Sequence, residues 1–231
     1  METLKYIHAG VSREDIADLN LIHILYSQAP VTFTFPVLAG TCLVFLLWNV
    51  SRLDILLSWF LVITLHSIYR YILLRQFNNA SLKPEDTGTW LDRFVLSACI
   101  SGILWGIAPI ILVTYSGQME FIIYNGITVL MTCGLSAGAA ISYAVSPKVL
   151  VSYTLPALIP PAVYLITLGD IHNSSLGGYI LLYFVFITLA AIRMNRVLRR
   201  FIKMEQEKTE ACYKYEKLKT VYADYRRKVG I

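Results

Sequence analysis

Six apolar runs, each close to the ~20 residues that cross a hydrocarbon core, constrain this chain more than any other feature. They cover Val31–Val50, Ile55–Leu74, Phe94–Tyr115, Phe121–Tyr143, Val149–Leu168 and Leu176–Ile192. Barrel strands alternate apolar and polar residues, whereas these runs are uniformly apolar, so each reads as a helix. Only 15% of residues are charged, against about 25% in soluble domains. Mean hydropathy is +0.59. The expectation is an all-α polytopic membrane protein with six transmembrane helices, and its first partner is the lipid bilayer.

Lysine and arginine set the orientation of such a bundle. Lys5 and Arg13 precede the first run. Arg75, Lys83 and Arg93 follow the second, Lys148 follows the fourth, and a basic cluster of Arg193, Arg196, Arg199, Arg200 and Lys203 follows the sixth. The opposite side has Arg52 alone, and its loops 116–120 and 169–175 carry neither residue. Both termini are therefore expected in the cytoplasm. The net charge of +5 serves orientation and gives no sign of nucleic-acid binding. Short outer loops leave no room for an extracellular ligand-binding domain. A stimulus would be small, lipidic or a state of the membrane.

Three regions follow: an N-terminal segment 1–30, the six-helix domain 31–192, and a cytoplasmic helix 193–231. No cleavable signal peptide is expected, because Glu2, Glu14, Asp15 and Asp18 interrupt the first thirty residues. Ile16, Leu19, Ile22, His23 and Tyr26 share one helical face, with Ser12 and Asp15 forming an N-cap arrangement. That pattern reads as a short helix lying on the membrane surface. His8 and His23 have no ligand-spaced partners. The longest internal connection reads as Gln76–Asp92, which holds Asn78, Asn79, Pro84 and Gly88.

Polar residues inside spans are costly in hydrocarbon and must find partners. His66 and Arg70 lie four apart in the second span, with Tyr69 beside them. Two readings stand. They form a proton- or anion-responsive site facing the bundle interior, or Arg70 snorkels to headgroups while His66 bonds across to another helix. Gly102–Gly106 and Gly134–Gly138 are small-xxx-small patterns suited to close helix packing. Trp105, inside the first pattern, is a candidate wall of an apolar ligand pocket. Ser146 and Pro147 fit a helix start. Pro156, Pro160 and Pro161 remove backbone donors from the fifth span and mark a static kink or a hinge. Asp170 and His172 fall in an outer loop, where solvation is the simplest fate.

Catalytic signals are missing from the sequence. There is no P-loop, no Gly-x-Ser-x-Gly, no HExxH and no CxxC. Cys42, Cys99 and Cys133 lie in apolar runs and Cys212 in the tail, without metal-ligand spacing. No cofactor and no metal site are expected, and no catalytic domain is visible in this chain. The tail carries no histidine to accept a phosphoryl group.

The tail has a different signal. Phe201, Met204, Lys208, Ala211, Tyr215, Leu218, Tyr222, Tyr225 and Val229 recur at spacings of three and four, the a/d seam of a two-helix coiled coil. A lysine at an a position weakens such a seam while fixing its register. The seam suggests a homodimer joined through a helix continuous with the sixth span. The other reading is an amphipathic helix packed on another domain.

Several stretches taken together resemble a known arrangement. They are Leu25–Pro30 (LYSQAP), Tyr71–Phe77 (YILLRQF), Trp90–Phe94 (WLDRF), Gly102–Gly106 (GILWG), the small-residue run Gly134–Ala139, and Ser146-Pro147 with Leu155–Pro160 (LPALIP). This set, over about residues 20–205, resembles the six-helix N-terminal membrane module of bacterial signalling proteins. Such modules are joined to diguanylate cyclase (GGDEF) domains, sometimes with EAL domains, or to histidine kinase domains. The resemblance implies a sensor or regulatory input in a bacterial inner membrane. Its output would be a cytoplasmic domain following Ile231 or a partner in trans. No residue of the output enzymes is present to carry their activity here. A small transporter or channel is the rival expectation, resting on His66, Arg70 and the proline-rich fifth span, although no inverted repeat is visible.

Overall fold

The computed structural model describes residues 13–80, 84–113 and 118–229. Those residues are helical, with no strand among them. In chain order they form α1 (Arg13–Ser27), α2 (Ala29–Leu47), α3 (Leu53–Asn79), a 3-10 turn at Pro84–Asp86, α4 (Thr87–Ile111), α5 (Gln118–Ser142), α6 (Pro147–Thr167) and α7 (Ile171–Val229). Six helical stretches are long and apolar enough to cross a membrane, the first running through α1 and α2 from Asp18 to Leu47. The chain divides into two compact units, residues 1–195 and 196–231.

The first unit has the polarity a bilayer demands. Phe45, Leu61, Leu130 and Phe186 are exposed on its outside. Inside lie Ser97, Ser101, Asn125, Thr128, Thr132, Ser136 and Thr154, all buried. With no water in the hydrocarbon core, polar groups turn inward and bond within the bundle. Thr128, Thr132 and Ser136 each donate to the carbonyl four residues earlier, at 2.8–3.0 Å. The Asn125 side chain donates 2.9 Å to the carbonyl of Pro109 at the end of α4.

Helix α6, expected to be kinked or hinged, packs on α4 along most of its length and keeps a helical backbone through Pro156, Pro160 and Pro161. Proline lacks an N–H, so Pro160 leaves the Pro156 carbonyl without its i+4 donor. Gly106 comes up against that carbonyl, and a Cβ added there would stand 3.1 Å from the Ala157 Cα. A Cβ on Gly102 would stand 2.8 Å from the Pro156 Cγ. The close approach expected at Gly134 and Gly138 is not made within the chain, since a Cβ on either meets nothing within 4 Å. Both are exposed and border an open recess. Gly177 makes a third close approach, with an added Cβ 2.7 Å from the Ala162 carbonyl oxygen.

Three local readings change with the structure. The apolar face of α1 is buried in the bundle and is not left for the membrane surface: Leu19, Ile22 and Tyr26 are all buried. Tyr26 stacks on Phe77 at 3.7 Å, and its hydroxyl donates 3.1 Å to the Trp90 carbonyl. Tertiary packing thus claims a face whose pattern also suits a lipid interface. Ser12 lies outside the described residues. The Gln76–Asp92 connection is shorter than its turn residues suggest, because α3 continues to Asn79 and α4 begins at Thr87. Asp170 is more than a solvated loop residue. It caps α7, accepting from the His172 and Asn173 backbone at 3.1 and 2.9 Å. Gly169, at φ +78°, makes the sharp turn out of α6 that brings Asp170 into place.

The start of α6 falls where Ser146 and Pro147 put it, with Pro147 in the first turn. Ser146 makes no side-chain cap bond; its carbonyl takes the Val149 and Leu150 N–H groups at 3.0 and 3.2 Å. Asn195 supports the preceding turn, donating to the Ala144 and Val145 carbonyls at 2.9 and 2.6 Å. Lys148 and Asp92 form an exposed ion pair at 2.7 Å between α6 and α4.

The second unit is helical through Val229. Phe201, Met204, Tyr215 and Leu218 are each more than half exposed, and Lys208 and Ala211 are exposed as well. The side chains of Tyr222, Tyr225 and Val229 lie outside those described.

Candidate functional site

Arg70 is the charged side chain that the bundle encloses most fully among the described residues, at 4% exposure. It lies about 13 Å from the Asn79 end of α3 at 1.5 Å per residue. An arginine at that depth has stem enough to reach headgroups. Instead it turns inward. One guanidinium nitrogen donates to the Thr32 carbonyl at 3.1 Å; the other donates to the Thr32 hydroxyl at 3.0 Å and the Tyr143 hydroxyl at 2.9 Å. Its charge sits 5.4 Å from the centre of the Phe94 ring. Arg70 therefore joins α2, the end of α5 and α4 at one point. No carboxylate pairs with it among the described residues. Neutral acceptors take three of its five N–H groups and leave its charge unbalanced.

The sequence groups His66, Tyr69 and Arg70 together. The structure keeps His66 and Tyr69 adjacent, with ring centres 6.1 Å apart, but neither joins the hydrogen bonds of Arg70. His66 donates from Nε2 to the Ser97 carbonyl of α4 at 3.0 Å, because a carbonyl can only accept. Tyr69 is 44% exposed. Trp105 is buried edge-on to Trp59 with ring centres 5.3 Å apart. It borders a crevice shared with His66, Arg70 and Ser101 that has no room for a water molecule. A ligand pocket at Trp105 is thus replaced by tight packing. Its indole N–H is buried with no acceptor among the described residues.

The open space is one layer away. A cavity of about 250 Å³ lies among α2, α4, α5 and α6. Thr32 and Tyr143, the partners of Arg70, form part of its wall. Phe35, Leu135 and Ala139 supply apolar wall, and Gly134 and Gly138 form part of the exposed rim. Sequence reasoning passed over Thr32, Phe94 and Tyr143 as site residues. Tyr143 closes an apolar run, where a tyrosine ordinarily reads as an interfacial anchor. Its burial at 1% exposure is visible only in the assembled bundle.

Among the described residues no group of three or more His, Cys, Asp or Glu side chains is placed to hold a metal ion. Comparison with family models, with curated proteins and with solved structures gives no match for this chain.

Proposed function

We propose that this chain is a membrane-embedded sensory or regulatory input module. In this reading the bundle lies in a bacterial inner membrane with both termini cytoplasmic. A small or lipidic stimulus acts on the bundle, and α7 passes the change to an output domain in cis or a partner in trans. The observation that carries the reading is the exposed tail seam. Phe201, Met204, Tyr215 and Leu218 leave large apolar surfaces uncovered at heptad-related spacing. A helix with that pattern gains stability by pairing with a second copy. Lys208 weakens the pairing while fixing its register, which keeps two rotations of the paired helices within a few kcal/mol of each other.

Disulfide cross-linking in native membranes tests it, in a background where Cys42, Cys99, Cys133 and Cys212 are replaced by serine or alanine. Single cysteines at Met204, Ala211 and Leu218 should cross-link between copies. Cysteines at Lys203, Thr209 and Lys217 should not. A flat profile along the tail would remove dimer transmission.

A second reading, a small transporter or channel, draws on the buried Arg70 and the cavity beside it. Flux into liposomes that disappears in Arg70→Gln and His66→Ala variants would favour it. Liposomes that stay tight would count against it.

A further inference from the structure

We propose that the cavity beside Arg70 binds a single acyl chain bearing an oxyanion headgroup, with the headgroup on the Tyr143 hydroxyl and the chain leaving between α2 and α5. The inference deepens the sensory reading by naming a class of ligand, and rests on that reading only for what binding would trigger.

The headgroup end is defined by charge and by one hydrogen-bond donor. Arg70 is buried and meets only neutral acceptors among the described residues. The Tyr143 hydroxyl accepts from Arg70 at 2.9 Å, which polarises its own O–H bond. No described residue accepts that proton. The Thr32 hydroxyl has already spent its proton on the Ala29 carbonyl at 2.9 Å. Tyr143 is thus the donor at the cavity wall that is backed by a full positive charge. A hydrogen bond to a charged acceptor is roughly twice as strong as a neutral one. A carboxylate or phosphate oxygen meets both requirements; a neutral acceptor meets only the hydrogen bond, and a cationic headgroup meets neither.

The chain end is defined by shape and exposure. Phe35, Pro36, Leu135 and Ala139 give the wall its apolar surface, with Ser101, Ser142 and Tyr153 also lining it. The rim is formed in part by Gly134 and Gly138, where an added Cβ meets open space. Across from them Val31 and Phe35 are about half exposed on the outer, apolar surface of the bundle. The cavity therefore opens sideways, toward the region lipid chains occupy. At about 250 Å³ it falls just below the ~300–1,000 Å³ of pockets that enclose whole small molecules. A headgroup with the first part of its chain fits; the rest remains outside with the lipid. The level suits this as well. Each helix crossing once puts the ends of α3 and α5 on the same side as the start of α2, so Arg70, Tyr143 and Thr32 all lie toward one membrane face.

The test uses the full chain in phosphatidylcholine nanodiscs, with radiolabelled dodecanoate as probe and empty discs as background. Saturable binding of one dodecanoate per chain is expected, with dodecanol competing at least about tenfold more weakly because it carries no charge. Tyr143→Phe should weaken binding about tenfold or more. Gly138→Leu, whose added Cβ meets open space at the rim of the recess, should block it. It decides the matter if Tyr143→Phe fails to fold. Stronger competition by dodecyl phosphate would identify a phosphate-headed lipid as the ligand, and stronger competition by dodecanoate a free fatty carboxylate; either supports the site. Absence of saturable binding, equal competition by dodecanol, or binding unchanged in Gly138→Leu would overturn it. Tail cross-linking is read separately, so failure here leaves the dimer test standing, and the reverse holds too.

Discussion

Gly106 of α4 lies directly against the backbone carbonyl of Pro156 in α6, and that carbonyl is the one Pro160 deprives of its helical donor. The contact solves two problems at once. It lets the two helices approach to backbone distance, and it covers an oxygen that would otherwise face hydrocarbon without a partner. A Cα–H group is a weak donor, contributing about 0.5–1 kcal/mol, but in lipid it replaces nothing better.

Substitution of Gly106 should therefore be severe. Gly106→Val forces a side chain into backbone atoms that cannot rotate away, at a cost of about 1–3 kcal/mol or more. Gly138→Ala should change stability by less than about 0.5 kcal/mol, because its Cβ meets open space. Thermal melting in detergent checks both. Equal melting temperatures for the two variants would contradict the asymmetry.

Arg70 and Tyr143 should be coupled. Removing either leaves the other buried without its partner, so Arg70→Met and Tyr143→Phe should each destabilise the bundle by about 1–3 kcal/mol. The double variant should cost less than the sum by about 0.5 kcal/mol or more. A double-mutant cycle on unfolding in detergent measures this. Strict additivity would mean that the 2.9 Å contact carries no energy of its own.

Asn195 should matter as much as an intramembrane residue of greater charge. Its amide is buried and satisfies two carbonyls in the turn between α5 and α6. Asn195→Leu strands both, at about 1–3 kcal/mol per unsatisfied group. Protease nicking within residues 143–146 should rise in that variant. A wild-type cleavage pattern would argue that the turn holds without it.

Asp170 should give the α6–α7 turn a dependence on acid. The Asn173 backbone N–H, foremost among its bonds, holds its carboxyl below the usual 3.8. A depressed pKa stabilises the fold at pH above the unfolded value, and that contribution is lost as pH falls through the folded value. Wild type should melt above Asp170→Ala by a constant margin from neutral pH down to about the ordinary carboxyl range. The margin should shrink below it. A margin independent of pH down to strong acid would show that the cap does not depend on the ionised form.

How legible all this was depends on how local each cause is. The six spans follow from apolar length alone, because a chain in hydrocarbon must bond its own backbone and only a helix does so within one segment. The α6 start at Ser146 and Pro147 is nearly as local. The place of Arg70 is not, since its position in α3 suits either an inward turn or a reach to headgroups, and only its partners Thr32 and Tyr143 choose the first. The glycine pairs are different. Gly102–Gly106 and Gly134–Gly138 are the same pattern, yet only the first meets another backbone within the chain. What distinguishes them is the helix opposite, and no spacing within α4 or α5 records that. The site shows the same limit. Thr32 lies 38 residues before Arg70 and Tyr143 lies 73 after it, so their meeting depends on how three helices are rotated against one another. His66, four residues from Arg70 on the same helix, turns to a different carbonyl. Sequence alone determined a helical membrane bundle and a heptad-spaced tail, since hydropathy and period act along the chain. Tertiary structure decided which groups Arg70 meets and where the bundle leaves space, since both depend on side chains brought together from separate helices.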